Sequence, residues 1–97
     1  MSGYQLLPAA VRDVESIWDY TERNWGVKQA EAYLRQIQHA IESVAEHPDF
    51  GKRRADIAPV YYSIAVGSHV VFFRIEDGIV VVRVLHQRMD PRAHKLL

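Results

Sequence analysis

Several side chains in the C-terminal half could carry out acid–base chemistry on RNA. Cleavage through the 2′-hydroxyl needs a proton acceptor, a proton donor for the leaving oxygen, and cations that stabilise the phosphorane. The side chains of suitable type are those of Tyr61, Arg74, Arg83, His86 and Arg88. In the strand register predicted below, His86 lies on the opposite side of the sheet from the tyrosine and the two strand arginines. This placement favours a structural histidine over a catalytic one and leaves a nuclease as the alternative.

Metal and cofactor chemistry find little support in the sequence. The chain has five histidines and no cysteine, which excludes thiolate ligands and a disulfide framework. His69 and His86 are predicted cross-strand partners, but two histidines make an incomplete zinc site, and no acidic residue stands at ligand spacing beside them. The sequence contains no Gly-rich phosphate loop, nucleophile elbow or paired-carboxylate motif. We expect neither a metal nor a cofactor.

The charges are distributed unevenly along a chain of 97 residues whose formal net charge is zero. Residues 1–51 carry four basic and eight acidic side chains, whereas residues 52–97 carry eight basic and four acidic ones. The basic half suits an anionic partner, either nucleic acid or an acidic protein segment, although mutual attraction of the two halves would explain the same asymmetry. No apolar run approaches the length of a membrane helix, and nothing marks the N-terminus for secretion, so we expect a cytoplasmic protein.

Apolar spacing predicts the elements that position these side chains. Tyr4–Leu7 is predicted to be a short strand or extended arm. An amphipathic helix is expected from Pro8 to a C-cap at Gly26, and a second helix ends before Pro48. The apolar stripe of the second helix consists of Ala30, Tyr33, Leu34, Ile37, Ile41, Val44 and Ala45. So short a break predicts an antiparallel helical hairpin whose core includes both tryptophans.

After a loop over residues 48–59, the pattern changes to strands. Three strands are predicted to form a meander, and they are Tyr61–Val66, His69–Ile75 and Ile79–Gln87. Two-residue turns are expected between them, at Gly-Ser and at Asp-Gly. These turns predict that Val66 faces His69 and that Glu76 faces Ile79.

The predicted register sorts the strand side chains between two faces, because successive residues point to opposite sides. The apolar face, expected to take the helices, carries Tyr62, Ile64, Val66, Val71, Phe73, Ile75, Val80, Val82 and Val84. The outer face carries Tyr61, Ser63, Ala65, Val70, Phe72, Arg74, Val81, Arg83 and Leu85. Its aromatic residues oppose arginines at cation–π distance, Tyr61 with Arg74 and Phe72 with Arg83. This composition is typical of a surface that recognises single-stranded nucleic acid or protein, unless the first strand, the loop or the tail covers it.

The order of elements and three stretches of sequence resemble the ParE branch of the RelE/ParE toxin superfamily. The stretches are LLPAAVRDVESIWDYTERNWG, QAEAYLRQIQHAIESVAEHPDFGK and GSHVVFFRIEDGIVVVRVLHQRMDPRAH, and the resemblance extends from about Tyr4 to about His94. It implies an α+β fold with an N-terminal strand and an antiparallel helical hairpin. The hairpin would pack on one face of a mainly antiparallel sheet of three to four strands, followed by a short C-terminal tail. We expect one domain over residues 1–97.

The resemblance also implies a toxin without catalytic residues that inhibits DNA gyrase and is neutralised, in a hetero-oligomer, by a ParD-type antitoxin. It implies that the tail, Arg88–Leu97, matters for toxicity. The residues expected to bind the target are Arg74, Arg83, Arg88, Met89 and Arg92. Those expected to bind the antitoxin are Tyr61, Phe72, Val81 and Leu85. Neither membrane contact nor sequence-specific DNA binding by this chain alone is expected, and a RelE-like ribosome-dependent mRNA endonuclease is the alternative function.

Overall fold

Two helices cross one face of a five-stranded mixed sheet in the computed structural model, which describes residues 3–94 and 96. The elements are β1 (Tyr4–Leu6), α1 (Pro8–Trp25), α2 (Val27–Glu46), β2 (Lys52–Arg53), β3 (Tyr62–Val66), β4 (His69–Ile75) and β5 (Ile79–His86). The strand order is β1-β5-β4-β3-β2, in which β1 runs parallel to β5 and the other neighbours are antiparallel. The predicted α+β architecture is confirmed, and the sheet gains one strand, β2, within the segment predicted as loop.

The helical hairpin follows the prediction at its boundaries. Pro8 begins α1, where its missing N–H needs no partner, and Gly26 joins the helices with φ 92°, a value that favours glycine. Thr21 is buried in α1 and donates its hydroxyl proton to the carbonyl oxygen of Ile17 at 2.7 Å. Trp25 is the exception, because its side chain is 64% exposed. Its predicted place in the core is wrong, since it lies at the last residue of α1, beyond the buried stripe.

The two hairpin turns of the meander differ. Val66 pairs with His69 across the first turn, as predicted. After β4, however, Ile75 pairs with Ile79, so the connection has three residues instead of the predicted two. The last two of these, Asp77 and Gly78, have φ values of 49° and 98°. Asp and Gly are among the residues that best tolerate such values.

A β-bulge compensates for the extra loop residue. Phe72 pairs with Arg83, as predicted, but Phe73 pairs with Val81, so Val82 is the additional residue on β5. The side chains of β5 between the loop and the bulge therefore point to the faces opposite to those predicted. Val81 faces the helices, whereas Val80 and Val82 lie on the outer face, and all three predicted face assignments are wrong.

Each face of the sheet has its own apolar cluster. The inner cluster joins the helices to the sheet and includes Ile37, Val44, Val71, Phe73 and Val81, each at most 2% exposed. The outer cluster consists of Tyr61, Phe72, Val80, Val82, Leu85 and Leu96, packed against Leu7, Ile57, Ala58 and Val70. The loop before β3 and the tail thus cover the outer face, which is the alternative that the sequence left open.

Within the described residues, no helix is long and apolar enough to span a membrane.

Candidate functional site

Arg83 binds to α1. The contact with Phe72 that was predicted for it is not formed. Its Nε and Nη2 atoms donate to the carboxylate of Asp13 at 2.7 and 2.9 Å. One of these oxygens also accepts the backbone N–H of Val84 at 2.9 Å. Because β1 ends beside Val81, this part of β5 has no strand partner on that side, and the carboxylate supplies the acceptor. The hydrogen bond to Asp13 raises the pKa of Arg83.

A different arginine forms the cation–π contact with Phe72. The guanidinium carbon of Arg54 lies 5.3 Å from the centre of the Phe72 ring. Arg54 also donates to both carboxylate oxygens of Asp56, at 3.0 and 2.9 Å. This hydrogen-bonded pair raises the pKa of Arg54 and lowers that of Asp56. The outer face therefore has a cation–π contact, as predicted, but the arginine that forms it comes from the loop before β3 and not from β5.

The predicted contact between Tyr61 and Arg74 is replaced by contacts elsewhere. Tyr61 precedes β3, and its hydroxyl donates to the carbonyl oxygen of Leu96 at 3.0 Å. Arg74 forms an ion pair with Glu76, with Nε and Oε2 3.0 Å apart. Tyr61 thus anchors the tail, whereas Arg74, near the end of β4, pairs with a residue of the loop that follows.

The candidate target-binding residues do not form one patch. Arg74 pairs with Val80 near the start of β5, whereas Arg88 follows the end of β5 at His86. On β4 the partners of these two levels, Arg74 and His69, are five residues apart, a distance of about 17 Å along the sheet.

The segment after β5 presents the remaining candidates. Arg88 and Arg92 are exposed, and Met89 is 46% exposed. Arg92 contacts Asp90, whose Oδ1 accepts the backbone N–H and the side-chain Nε of Arg92 at 3.0 and 3.2 Å, and these bonds lower the pKa of the carboxyl. This segment is the accessible basic part of the predicted target surface. Lys95 and Leu97 of the predicted tail lie outside the described residues.

The candidate antitoxin-binding residues are buried in the free chain. Tyr61, Phe72 and Leu85 are 4%, 2% and 2% exposed beneath the loop and the tail. Val81 is 0% exposed and lies on the helix-facing side, so its placement on the outer face was wrong. A partner can reach the first three side chains only after the segments that cover them, which include the loop before β3 and the tail, have moved.

A cluster of one tyrosine and two histidines lies at the end of the meander opposite the β4–β5 loop, where β4 begins and β5 ends. The rings of His69 and His86 pair across the strands, with centroids 5.3 Å apart. The Tyr33 hydroxyl oxygen lies 2.6 Å from Nδ1 of His69 and accepts the backbone N–H of Ser68 at 3.0 Å. Burial, followed by the charge of His86, lowers the pKa of His69, and the Asp13 carboxylate acts in the opposite direction.

The two histidines line a cavity of about 300 Å³ beside the helical hairpin. At its mouth Tyr20 and Trp25 make an edge-to-face contact with ring centroids 5.9 Å apart. Sequence reasoning missed this site because Tyr33 was assigned to a helical core stripe and Trp25 to the hairpin core. The only signal was the predicted pairing of His69 with His86, which the register confirms. Among residues 3–94 and 96 no three histidine or acidic side chains converge as metal ligands.

Comparisons with known proteins agree with this architecture. A family model described as the ParE toxin of the type II toxin–antitoxin system parDE matches residues 4–91. Toxin ParE1 of Mycobacterium tuberculosis (strain CDC 1551 / Oshkosh) is 52% identical over 91 residues, which cover 92% of this chain and 93% of that protein. Toxin ParE1 of Caulobacter vibrioides is 45% identical over 94 residues, covering 97% and 98% of the two chains.

More distant relatives extend the agreement. Toxin ParE of Escherichia coli is 30% identical over 92 residues, covering 93% of this chain and 89% of that protein. A solved chain of the chromosomal ParDE toxin–antitoxin system from P. aeruginosa superposes with a TM-score of 0.76 at 17% identity, covering 89% of this chain and 96% of that one. This last likeness supports the fold, whereas the family model and the first relatives establish the family. The chain belongs to the ParE toxin family of type II toxin–antitoxin systems.

Proposed function

We propose that this chain is a cytoplasmic, non-enzymatic toxin that inhibits DNA gyrase and is neutralised by a ParD-type antitoxin in a hetero-oligomer. Membership of the ParE family supports the toxin class and the antitoxin partner. The ion pair between Arg83 and Asp13 is the observation that carries the non-enzymatic mode. A phosphorane would need the uncompensated charge of such an arginine, and here a carboxylate within the fold balances it.

The exposed segment after β5 is the proposed target surface. Arg88, Met89 and Arg92 extend from the end of the sheet, with cationic and flexible apolar side chains that suit a protein interface. Arg74 lies at the opposite end of the sheet and is paired with Glu76. We therefore assign the main target contact to the tail segment.

The antitoxin has two routes to this fold. It can displace the tail and reach the outer cluster, or it can use the groove of about 360 Å³ whose lining includes Trp18, Leu34 and Ile41. Arg35 and Glu31 also line this groove, so its border carries one charge of each sign. An amphipathic helix fits such an apolar groove with a charged border.

The proposal is tested by adding purified chain to a gyrase supercoiling assay and then adding the antitoxin. We expect loss of supercoiling at a defined ratio of chain to gyrase, and its recovery when the antitoxin is present in excess. Gyrase that stays fully active in a large excess of properly folded chain would contradict the proposed target.

A ribosome-dependent mRNA endonuclease is the second candidate, because a phenol and two imidazoles meet at Tyr33, His69 and His86. These groups could exchange protons, as RNA cleavage requires. Primer extension on transcripts from translating cells distinguishes the two functions. New cleavage ends that disappear in a His86→Ala variant would support the nuclease, and unchanged transcripts would exclude it.

A further inference from the structure

We infer that the cavity beside His69 and His86 binds an aspartate or glutamate side chain of the antitoxin, hydrogen-bonded to the Nε2–H groups of both rings and flanked by Trp25. This inference rests on the proposed pairing with an antitoxin. It adds a second contact to the helical groove and the outer cluster, and it specifies the chemistry of that contact.

The hydrogen bonds of His86 set the position of its ring proton. The backbone N–H of Arg88 donates to Nδ1 of His86 at 3.1 Å. An imidazole nitrogen that accepts a hydrogen bond carries no proton, so the neutral ring is protonated at Nε2. His86 therefore presents Nε2 as a donor.

His69 reaches the same state through Tyr33. The Tyr33 hydroxyl accepts from the backbone N–H of Ser68, so its own proton is free to be donated. The nearer acceptor is Nδ1 of His69 at 2.6 Å, whereas the carbonyl oxygen of Val66 lies at 3.3 Å. The shorter contact is the stronger hydrogen bond, which leaves the proton of the neutral His69 ring on Nε2.

The two rings meet edge to face, with an interplanar angle of 79°, and both line one cavity. The ring centroids are 5.3 Å apart, and both rings line the same space. No group among residues 3–94 and 96 forms a hydrogen bond with either Nε2 atom. Two adjacent N–H donors match the two oxygens of a carboxylate.

The surrounding charges do not already satisfy these donors. The charged and titratable groups around the rings are Tyr33 from α2, Asp13 from α1, Arg83 on β5, and Arg88 and His94 after β5. Asp13 is committed to Arg83 and to the backbone of Val84. No described carboxylate is therefore available to the two Nε2–H groups, which leaves them accessible to a carboxylate of a partner.

The mouth of the cavity indicates what kind of partner brings the carboxylate. Tyr20 and Trp25 are 60% and 64% exposed and line the cavity together with polar side chains and the two histidines. Exposed apolar surface of this kind marks a protein interface. Under the proposed function the long-lived partner is the antitoxin, so we assign the carboxylate to it, next to an apolar residue that packs on Trp25.

A bound carboxylate couples the contact to protons. Burial and the neighbouring His86 lower the pKa of His69 in the free chain. A carboxylate between the rings favours the charged imidazole, so binding takes up a proton and becomes tighter as the pH falls.

Calorimetric titration of the full chain with the antitoxin, at about pH 8 and about pH 6, tests the inference. We expect affinity to increase by about tenfold at the lower pH, with net proton uptake measured in buffers of different ionisation enthalpy. The His69→Gln/His86→Gln double variant should lose this increase. A His39→Gln variant, changed at an exposed position on α2, should keep it.

The Trp25→Ala variant is a second test that does not depend on how the histidine substitutions affect folding, because the Trp25 side chain is 64% exposed. It should weaken antitoxin binding by about tenfold. Replacement of one acidic residue of the antitoxin by its amide should remove the pH dependence from wild-type binding.

The outcomes separate the inference from the proposed function. Equal affinity and equal pH dependence in wild type and the double histidine variant would overturn the inference and leave the antitoxin pairing intact. So would a Trp25→Ala variant that loses gyrase inhibition but binds antitoxin normally, since the cavity would then serve the target. An antitoxin that fails to bind the wild-type chain would overturn both.

Discussion

Asp13 and Arg83, which are 70 positions apart in the chain, join α1 to β5 through two hydrogen bonds of 2.7 and 2.9 Å. The same carboxylate holds the backbone N–H of Val84. One side chain thus neutralises a cation, completes the hydrogen bonding of the last strand and fixes the helical hairpin against the sheet.

An Asp13→Asn substitution should lower the free energy of unfolding by about 2 kcal/mol, because it removes the carboxylate charge beside a largely buried guanidinium and weakens the hydrogen bonds between them. The midpoint of urea unfolding measures this loss. Asp19→Asn, at an exposed position on the same helix, is the control and should be near neutral. If both variants unfolded at the same urea concentration as wild type, the ion pair between Asp13 and Arg83 would not contribute to stability.

The loop after β4 gives a prediction about backbone conformation. Gly78 has φ 98°, and a Cβ atom there would collide with the carbonyl oxygen of Gly3. Gly78→Ala should therefore destabilise the chain by about 1–3 kcal/mol. Gly3→Ala meets no atom within 4 Å and should change the unfolding midpoint little. Similar stabilities for the two variants would contradict the conformation described for this loop.

The partly buried position of His69 predicts how stability depends on pH. Its pKa in the folded chain is lowered by burial, so between that value and about 6.5 the unfolded chain binds more protons. The free energy of unfolding should consequently fall as the pH decreases below about 6.5. Urea unfolding across this range should show a weaker decline for His69→Gln than for wild type. A His39→Gln control that flattened the curve equally would assign the effect to another cause.

The covered outer face predicts a role for the tail in stability. Leu96 is 7% exposed and its carbonyl oxygen accepts the Tyr61 hydroxyl. Leu96→Ala should cost about 2 kcal/mol from the lost apolar contact, and Tyr61→Phe about 1 kcal/mol from the lost hydrogen bond. Hydrogen exchange at Phe72 and Leu85 should accelerate in the leucine variant. Unchanged exchange there would show that the tail does not protect the face.

The positions of the arginines predict which of them affect the target. The Arg88→Glu/Arg92→Glu double variant should lose gyrase inhibition by at least about tenfold while its unfolding midpoint stays near that of wild type, since both side chains are exposed. Arg74→Glu, at the other end of the sheet, should change inhibition much less. The reverse order of effects would move the target surface to the β4–β5 loop.

Local signals in the sequence predicted the helices and the first turn. Pro8, Gly26 and Pro48 mark helix boundaries through backbone restrictions that act within a few residues. The bulge was not predictable in this way. Ile79–Val82 is a run of four β-branched residues that lacks a period of two, so either set of side chains can face the helices.

The candidate site was harder to predict than the fold because its parts are distant in sequence. Asp13 and Trp25 contribute from α1 and Tyr33 from α2, whereas the two histidines come from the meander. Helical spacing assigns Tyr33 to the core stripe, and only the tertiary structure shows its hydroxyl at 2.6 Å from His69. The pairing of His69 with His86 was predicted from a two-residue turn at Asp77 and Gly78, which is wrong, and the pairing holds only because the bulge at Val82 restores the predicted register.

The strand order has a consequence for synthesis of the protein. β5, the last strand in chain order among residues 3–94 and 96, lies between β1 and β4, and in this described part of the chain β1 pairs only with β5. A nascent chain cannot close its sheet until residues beyond His86 have been translated, because the non-local contacts of β5 form last. Translation that stops before β5 would therefore release a chain without the strand that joins β1 to the rest of the sheet.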